Sequence, residues 1–134
     1  MGERYVESAI RRQIIMDTQN TIQRELKFRA WVKNNKVGHE LFTVVMISWI
    51  GKEVILSGKG GSIGLDDCVL MQYTGLKDKT GKEIYEGDIV RAGKILSVIE
   101  YSSGQFIGID WQYYNDRNLE VIGNIYENKE LLES

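Results

Sequence analysis

Proline is absent from the 134 residues, so every turn must come from glycine, asparagine, aspartate or serine. One cysteine and one histidine exclude a disulfide framework and a zinc site of Cys/His type. Neither charge sign dominates: 17 basic against 19 acidic residues leave a formal net charge of −2. That balance argues against a surface tracking nucleic-acid phosphate over its whole extent, and leaves room only for a local basic patch. Long apolar runs are missing too. Val44 to Ile50 is the longest, far short of the ~20 residues a membrane helix needs. The N-terminus carries Glu3, Arg4, Glu7, Arg11 and Arg12 without an apolar core, unlike a signal peptide. With a lone Cys68, these absences predict a cytoplasmic protein with no membrane partner and no cofactor.

What is present suffices for one folded domain: 43% of residues are hydrophobic and 27% are charged, which disfavours disorder. Glycine divides the chain. Only Gly2 precedes Gly38, and the remaining glycines run from there to Gly123, the rhythm of short strands and tight turns. Residues 1–24 therefore read as an N-terminal helix and linker, and residues 25–134 as a β domain. In the helix, expected over 3–20, Val6, Ile10 and Ile14 recur at helical spacing. So narrow a stripe must pack on something to persist. Asp17 to Thr21 reads as a linker, so docking on a second copy is the expectation, and a homo-oligomer follows.

From Leu26 the period becomes two. Phe28, Ala30 and Val32 alternate with Lys27, Arg29, Trp31 and Lys33, and Asn34-Asn35 supplies a turn. Residues 41–50 read as a buried, bent strand, Val54 to Leu56 as a short strand, and Ser57 to Gly64 as an open loop. Further strands are expected at Cys68–Tyr73, from Asp88, at Ile95–Tyr101 and Gln105–Trp111, and over Leu119–Ile125. A type I turn is expected over Asp78 to Gly81. The fold class is mainly β, a small antiparallel barrel or twisted sheet. Gly87 to Val90 and the Ser102-Ser103-Gly104 hairpin make an SH3-like barrel the preferred form.

Three blocks of this sequence resemble the YopX family. They are Lys27 to Trp31 (KFRAW), Asp67 to Val90 (DCVLMQYTGLKDKTGKEIYEGDIV) and Glu120 to Asn128 (EVIGNIYEN). Val32 departs from the family's usual acidic residue, and Lys129 from its usual proline. The resemblance implies a β-rich protein of bacteriophages and prophages of Gram-positive bacteria, and so a bacterial host cell as its setting. It implies no activity.

Motifs with chemical meaning are few. Gly60 to Gly64 satisfies G-x-S-x-G, but a serine hydrolase needs a strand–turn–helix elbow and a histidine after the serine, and His39 precedes Ser62. The Gly-Lys pairs lack the rest of a phosphate loop, although Lys59 beside the glycine-rich stretch is a weak candidate for holding an anion. Acidic neighbours Asp66 and Asp67 on an extended chain point apart and make no dyad. Cys68 reads as an inert thiol. Lys77, Lys79 and Lys82 cluster on one turn with Tyr73 and Tyr85 flanking it, a pattern able to bind single-stranded nucleic acid by phosphate contact and stacking. Trp31, on the polar side of its strand, is a candidate interface residue.

These readings converge on a protein that is not an enzyme. The expected role is a binding or adaptor module acting on a host or phage protein. The alternative is a small β-barrel that binds nucleic acid through the lysine turn.

Overall fold

A computed structural model describes residues 8–15, 25–33, 40–109 and 118–133. Its described strands pair antiparallel throughout. Six of them form one sheet in the order β4-β3-β2-β1-β5-β6. These strands are β1 (Phe28–Val32), β2 (Glu40–Ser48), β3 (Glu53–Leu56), β4 (Gly61–Gly64), β5 (Cys68–Lys77) and β6 (Glu83–Tyr85). A three-stranded sheet, β11-β7-β8, joins Leu119–Asn124, Asp88–Ala92 and Ile95–Val98, and a hairpin pairs β9 (Glu100–Ser102) with β10 (Gln105–Ile107). The fold is mainly β, as the alternating pattern requires. The sheets do not close into a barrel, so the preferred SH3-like form gives way to open sheets packed together.

Residues 8–15 are helical, with Ile10 and Ile14 more than half exposed. Val6, the Asn34-Asn35 turn, His39, Trp111 and the Asp17–Thr21 linker lie outside the described residues.

Strand β1 explains the architecture. Its Ala30 and Val32 are fully buried with Val54 and Leu56, backed by Phe42, Val44 and Leu70, on one face of the large sheet. Arg29 and Trp31 project from the other face, where the smaller sheet lies. Trp31 is only 7% exposed and stacks on Tyr126, ring centroids 5.7 Å apart. It is therefore part of the packing and not a free surface residue, because β1 is a central strand covered on both sides. A second core unites Ile84, Val90, Ile99, Leu119 and Val121.

Two further expectations change. The glycine-rich stretch, expected to be an open loop, is a short 3-10 turn over Gly58–Gly60 followed by β4, which pairs with β3 in register Val54↔Ile63. Backbone pairing with β3 and the packing of Ile63 on the core make this strand, with little side-chain alternation to announce it. Strand β2, expected to be buried, is half exposed: Val45 and Met46 both open to solvent where its register with β3 shifts, as a bulge allows.

Candidate binding surfaces

The lysine turn is built into the fold. Asp78 Oδ1 accepts hydrogen bonds from the Thr80 N–H (2.8 Å), the Thr80 hydroxyl (2.7 Å) and the Lys82 N–H (2.9 Å). Its Oδ2 accepts the Val121 N–H of β11 at 2.9 Å. Burial pushes this carboxyl up, but the bonds from Val121, Thr80 and Lys82 outweigh it and hold its pKa below the ordinary range. Lys79 Nζ lies 3.4 Å from Glu120, which also meets Arg91 at 3.0 Å. Lys77 stands opposite Glu83 in the β5–β6 register. The tyrosines do not form the expected stacking platform: Tyr73 is 4% and Tyr85 9% exposed, and the rings lie against each other with centroids 5.4 Å apart. Lys27 sits over Tyr73 and Arg29 over Tyr85, so those faces are occupied by cations of the chain itself. The structure thus gathers the lysines but buries the two tyrosines expected to act beside them.

Lys59 is exposed in the 3-10 turn, apart from the lysine turn in the strand order. Ser62 lies within β4, whereas a nucleophile elbow needs the serine on a strand-to-helix turn. Cys68 is half-buried, and burial raises its thiol pKa, the direction of an unreactive thiol.

Arg29 and Asp88 make a tight charged contact between the sheets, 2.6 Å from Nη2 to Oδ1. Arg29 also donates to the Glu86 carbonyl at 3.2 Å, and Asp88 Oδ2 accepts the Tyr85 N–H at 2.8 Å. Burial raises the Asp88 pKa, and Arg29 with the Tyr85 N–H offsets that only in part. Both acids, Asp78 and Asp88, are therefore consumed by structure. Among the described residues no His/Cys/Asp/Glu cluster has the form of a metal site.

Two other surfaces stand out among the described residues of the β domain. One is the tip of the β2–β3 hairpin, where Trp49 is 66% and Ile50 fully exposed, next to the exposed Val45 and Met46. The tip connection is fixed by the Gly51 N–H donating to Ser48 Oγ at 3.0 Å, and by a positive φ at Lys52. The sequence pattern places these apolar residues in a buried strand. The clue against that reading is Gly51-Lys52, which makes Trp49-Ile50 the start of a turn. The other surface is a cleft of about 390 Å³ between β5 and β9, lined by Leu70, Met71, Glu86, Glu100, Tyr101 and Tyr126 among others. Burial, with Glu86 nearby, pushes the Tyr126 phenol above its ordinary range.

Comparison with known proteins bears on fold and family. A crystal structure of protein EF1440 from Enterococcus faecalis superposes with a TM-score of 0.63 at 28% identity, covering 82% of this chain and 99% of that one. None of the curated proteins matches. The family model described as "YopX protein" matches residues 27–133, a span that takes in the Arg29–Asp88 contact, the Asp78 turn and the Asn124–Asn128 segment. The chain belongs to the YopX family.

Proposed function

We propose that this protein is a non-catalytic binding or adaptor module of a phage or prophage, acting in the bacterial cytoplasm on a host or phage protein and assembling as a homo-oligomer. The hairpin tip carries the reading. Val45, Met46, Trp49 and Ile50, close together in the chain, are each more than half exposed, and exposed apolar patches mark protein contacts. Tryptophan supplies more binding energy per residue than most side chains once it enters a partner's pocket. The nucleic-acid alternative has three lysines but neither tyrosine exposed beside them, and Glu83 and Glu120 dilute their field.

The test compares the wild type with the double variant Trp49→Ser/Ile50→Ser as baits in host cell extract. The reading expects one partner, retained through high salt, that the double variant loses. Equal capture by both baits would overturn the role of the tip. Binding to a single-stranded oligonucleotide that weakens steeply with salt and is lost in Lys77→Ala/Lys79→Ala/Lys82→Ala would instead favour the nucleic-acid reading.

A further inference from the structure

We propose that the cleft between β5 and β9 is a docking site for an extended peptide carrying basic side chains, which adds itself as a strand between two edges that no described strand pairs. The proposal rests on the protein-binding reading and names a second contact, separate from the hairpin tip.

Hydrogen-bond parity identifies the two edges. In an antiparallel ladder, both backbone groups of a residue point to the same side, and successive residues alternate. The Tyr73 N–H donates to the Lys27 carbonyl at 2.9 Å, so Tyr73, Met71 and Val69 turn their backbone groups toward β1. Gln72 and Leu70 turn theirs away. Gln72 finds a partner there: its N–H donates to Glu86 Oε1 at 2.9 Å, and its carbonyl accepts the Glu86 N–H at 2.9 Å. One step further along β5, Leu70 faces the cleft, and no described strand pairs with that edge.

The opposite wall has the same property. Ser103 and Gly104 both have positive φ (52° and 80°), the backbone of a type I′ hairpin turn. Ser102 and Gln105 then exchange the closing hydrogen bonds, and so do Glu100 and Ile107, while Tyr101 and Phe106 form the pair whose backbone groups point outward. The Tyr101 and Phe106 rings meet at 5.1 Å, as the closer side-chain spacing of such a pair predicts. The flank of the hairpin agrees. Ile99 bonds to Gly87 and Asp88 on the β7 side, and Tyr101 continues that edge beyond the point where the chain turns off at Gly87. The Tyr101 N–H and carbonyl are therefore presented to the cleft that Tyr101 itself lines.

Charge selects the occupant. Glu86 and Glu100 line the cleft, and no lysine or arginine does so among its described lining residues. A neutral or acidic strand would leave both carboxylates without a counter-charge, whereas alternate lysine or arginine side chains supply one. Ile125 and the Tyr126 ring offer apolar surface to the intervening residues. This is the combination that strand addition uses: main-chain bonds for affinity and alternate side chains for selection.

The probe is a short blocked peptide alternating valine and lysine, added to the full chain, with amide hydrogen exchange read by NMR. The expected result is slowed exchange at Leu70 and Tyr101, and weaker binding when glutamate replaces lysine in the peptide. Tyr101→Pro deletes the outward N–H while leaving the β10 ladder intact, a place where an edge strand tolerates proline. Both it and Glu100→Lys are expected to weaken binding roughly tenfold, the effect of removing one directed hydrogen bond or ion pair. Glu100→Lys keeps the test sound if the proline variant fails to fold. No binding of the lysine peptide, unchanged exchange at both amides in the saturated complex, or wild-type affinity in Glu100→Lys would overturn the proposal. So would protection at Leu70 and Tyr101 without peptide that falls on dilution, since the occupant is then a second copy. The Trp49→Ser/Ile50→Ser variant is expected to bind the peptide normally. Failure at the cleft with tip-dependent capture intact would leave the protein-binding reading standing.

Discussion

Arg29 and Asp88 meet 2.6 Å apart although they belong to strands of different sheets, and the contact ties β1 to β7. The Arg29 side chain is 13% and that of Asp88 2% exposed, and Arg29 Nε is buried without a hydrogen-bond partner. Removing one member of such a pair strands the other charge away from water. Asp88→Ala is therefore expected to destabilise the fold by about 3–5 kcal/mol, measured as a lower urea midpoint. Arg29→Lys is expected to recover little, because an ammonium does not reproduce the fork of donors that reaches Asp88 and the Glu86 carbonyl from a seat over the Tyr85 ring.

Asp78 sets a pH dependence whose sign is fixed by its lowered pKa. A carboxyl held below its unfolded value contributes stability that is fully present above the unfolded pKa and is lost as pH falls through the folded one. The stability gap between wild type and Asp78→Asn is expected to be widest near neutrality. It should narrow below about pH 4, where the unfolded aspartate begins to take up its proton. Denaturant titrations across that range measure it. A gap that is constant with pH would show that the hydrogen-bond geometry, and not the charge, carries the effect.

Two glycines with positive φ separate conformational strain from collision. Gly81 (φ 89°) closes the Asp78 turn with open space around a would-be Cβ, so Gly81→Ala is expected to cost about 1–2 kcal/mol, the left-handed penalty alone. Gly87 (φ 82°) bears the same strain, and its Cβ would also come within 2.9 Å of the Met71 sulfur. Gly87→Ala is expected to cost more than Gly81→Ala in the same thermal-unfolding series. Equal losses would mean that the flexible Met71 side chain yields without cost.

Legibility in the sequence followed side-chain pattern, and failed where backbone or tertiary cover decided. β1 and β11 were readable because Phe28, Ala30 and Val32, and Leu119 and Val121, recur with a period of two. The turn at Asp78–Gly81 was readable because aspartate and glycine fall where local bonds need them. β4 was hidden because Gly61-Ser62-Ile63-Gly64 has almost no pattern to show. Trp31 was misplaced because alternation identifies two faces without saying that both are covered. The cleft could not be read at all, since it depends on which edges of β5 and β9 the other described strands leave open, a property of the assembled sheets.

Self-association has two candidate surfaces, and they can be told apart. Ile10, Ile14 and Ile15 of the helix are each more than half exposed, as are Trp49 and Ile50 at the hairpin tip. Apolar area on either surface gains ~25 cal/mol per Å² when removed from water, so both are suited to an interface between copies. Light scattering on the full chain, on a chain starting at Thr21 and on Trp49→Ser/Ile50→Ser separates the two surfaces. A helix-driven oligomer becomes monomeric on truncation and is unaffected by the tip variant, whose exposed substitutions are expected to change stability by no more than about 0.5 kcal/mol. An oligomer that survives truncation and dissociates in the tip variant assigns the interface to the hairpin. In that case the surface proposed to meet a partner is occupied by a second copy until the partner displaces it. A monomeric full chain would remove the oligomer from the proposed function and leave the tip free for that partner.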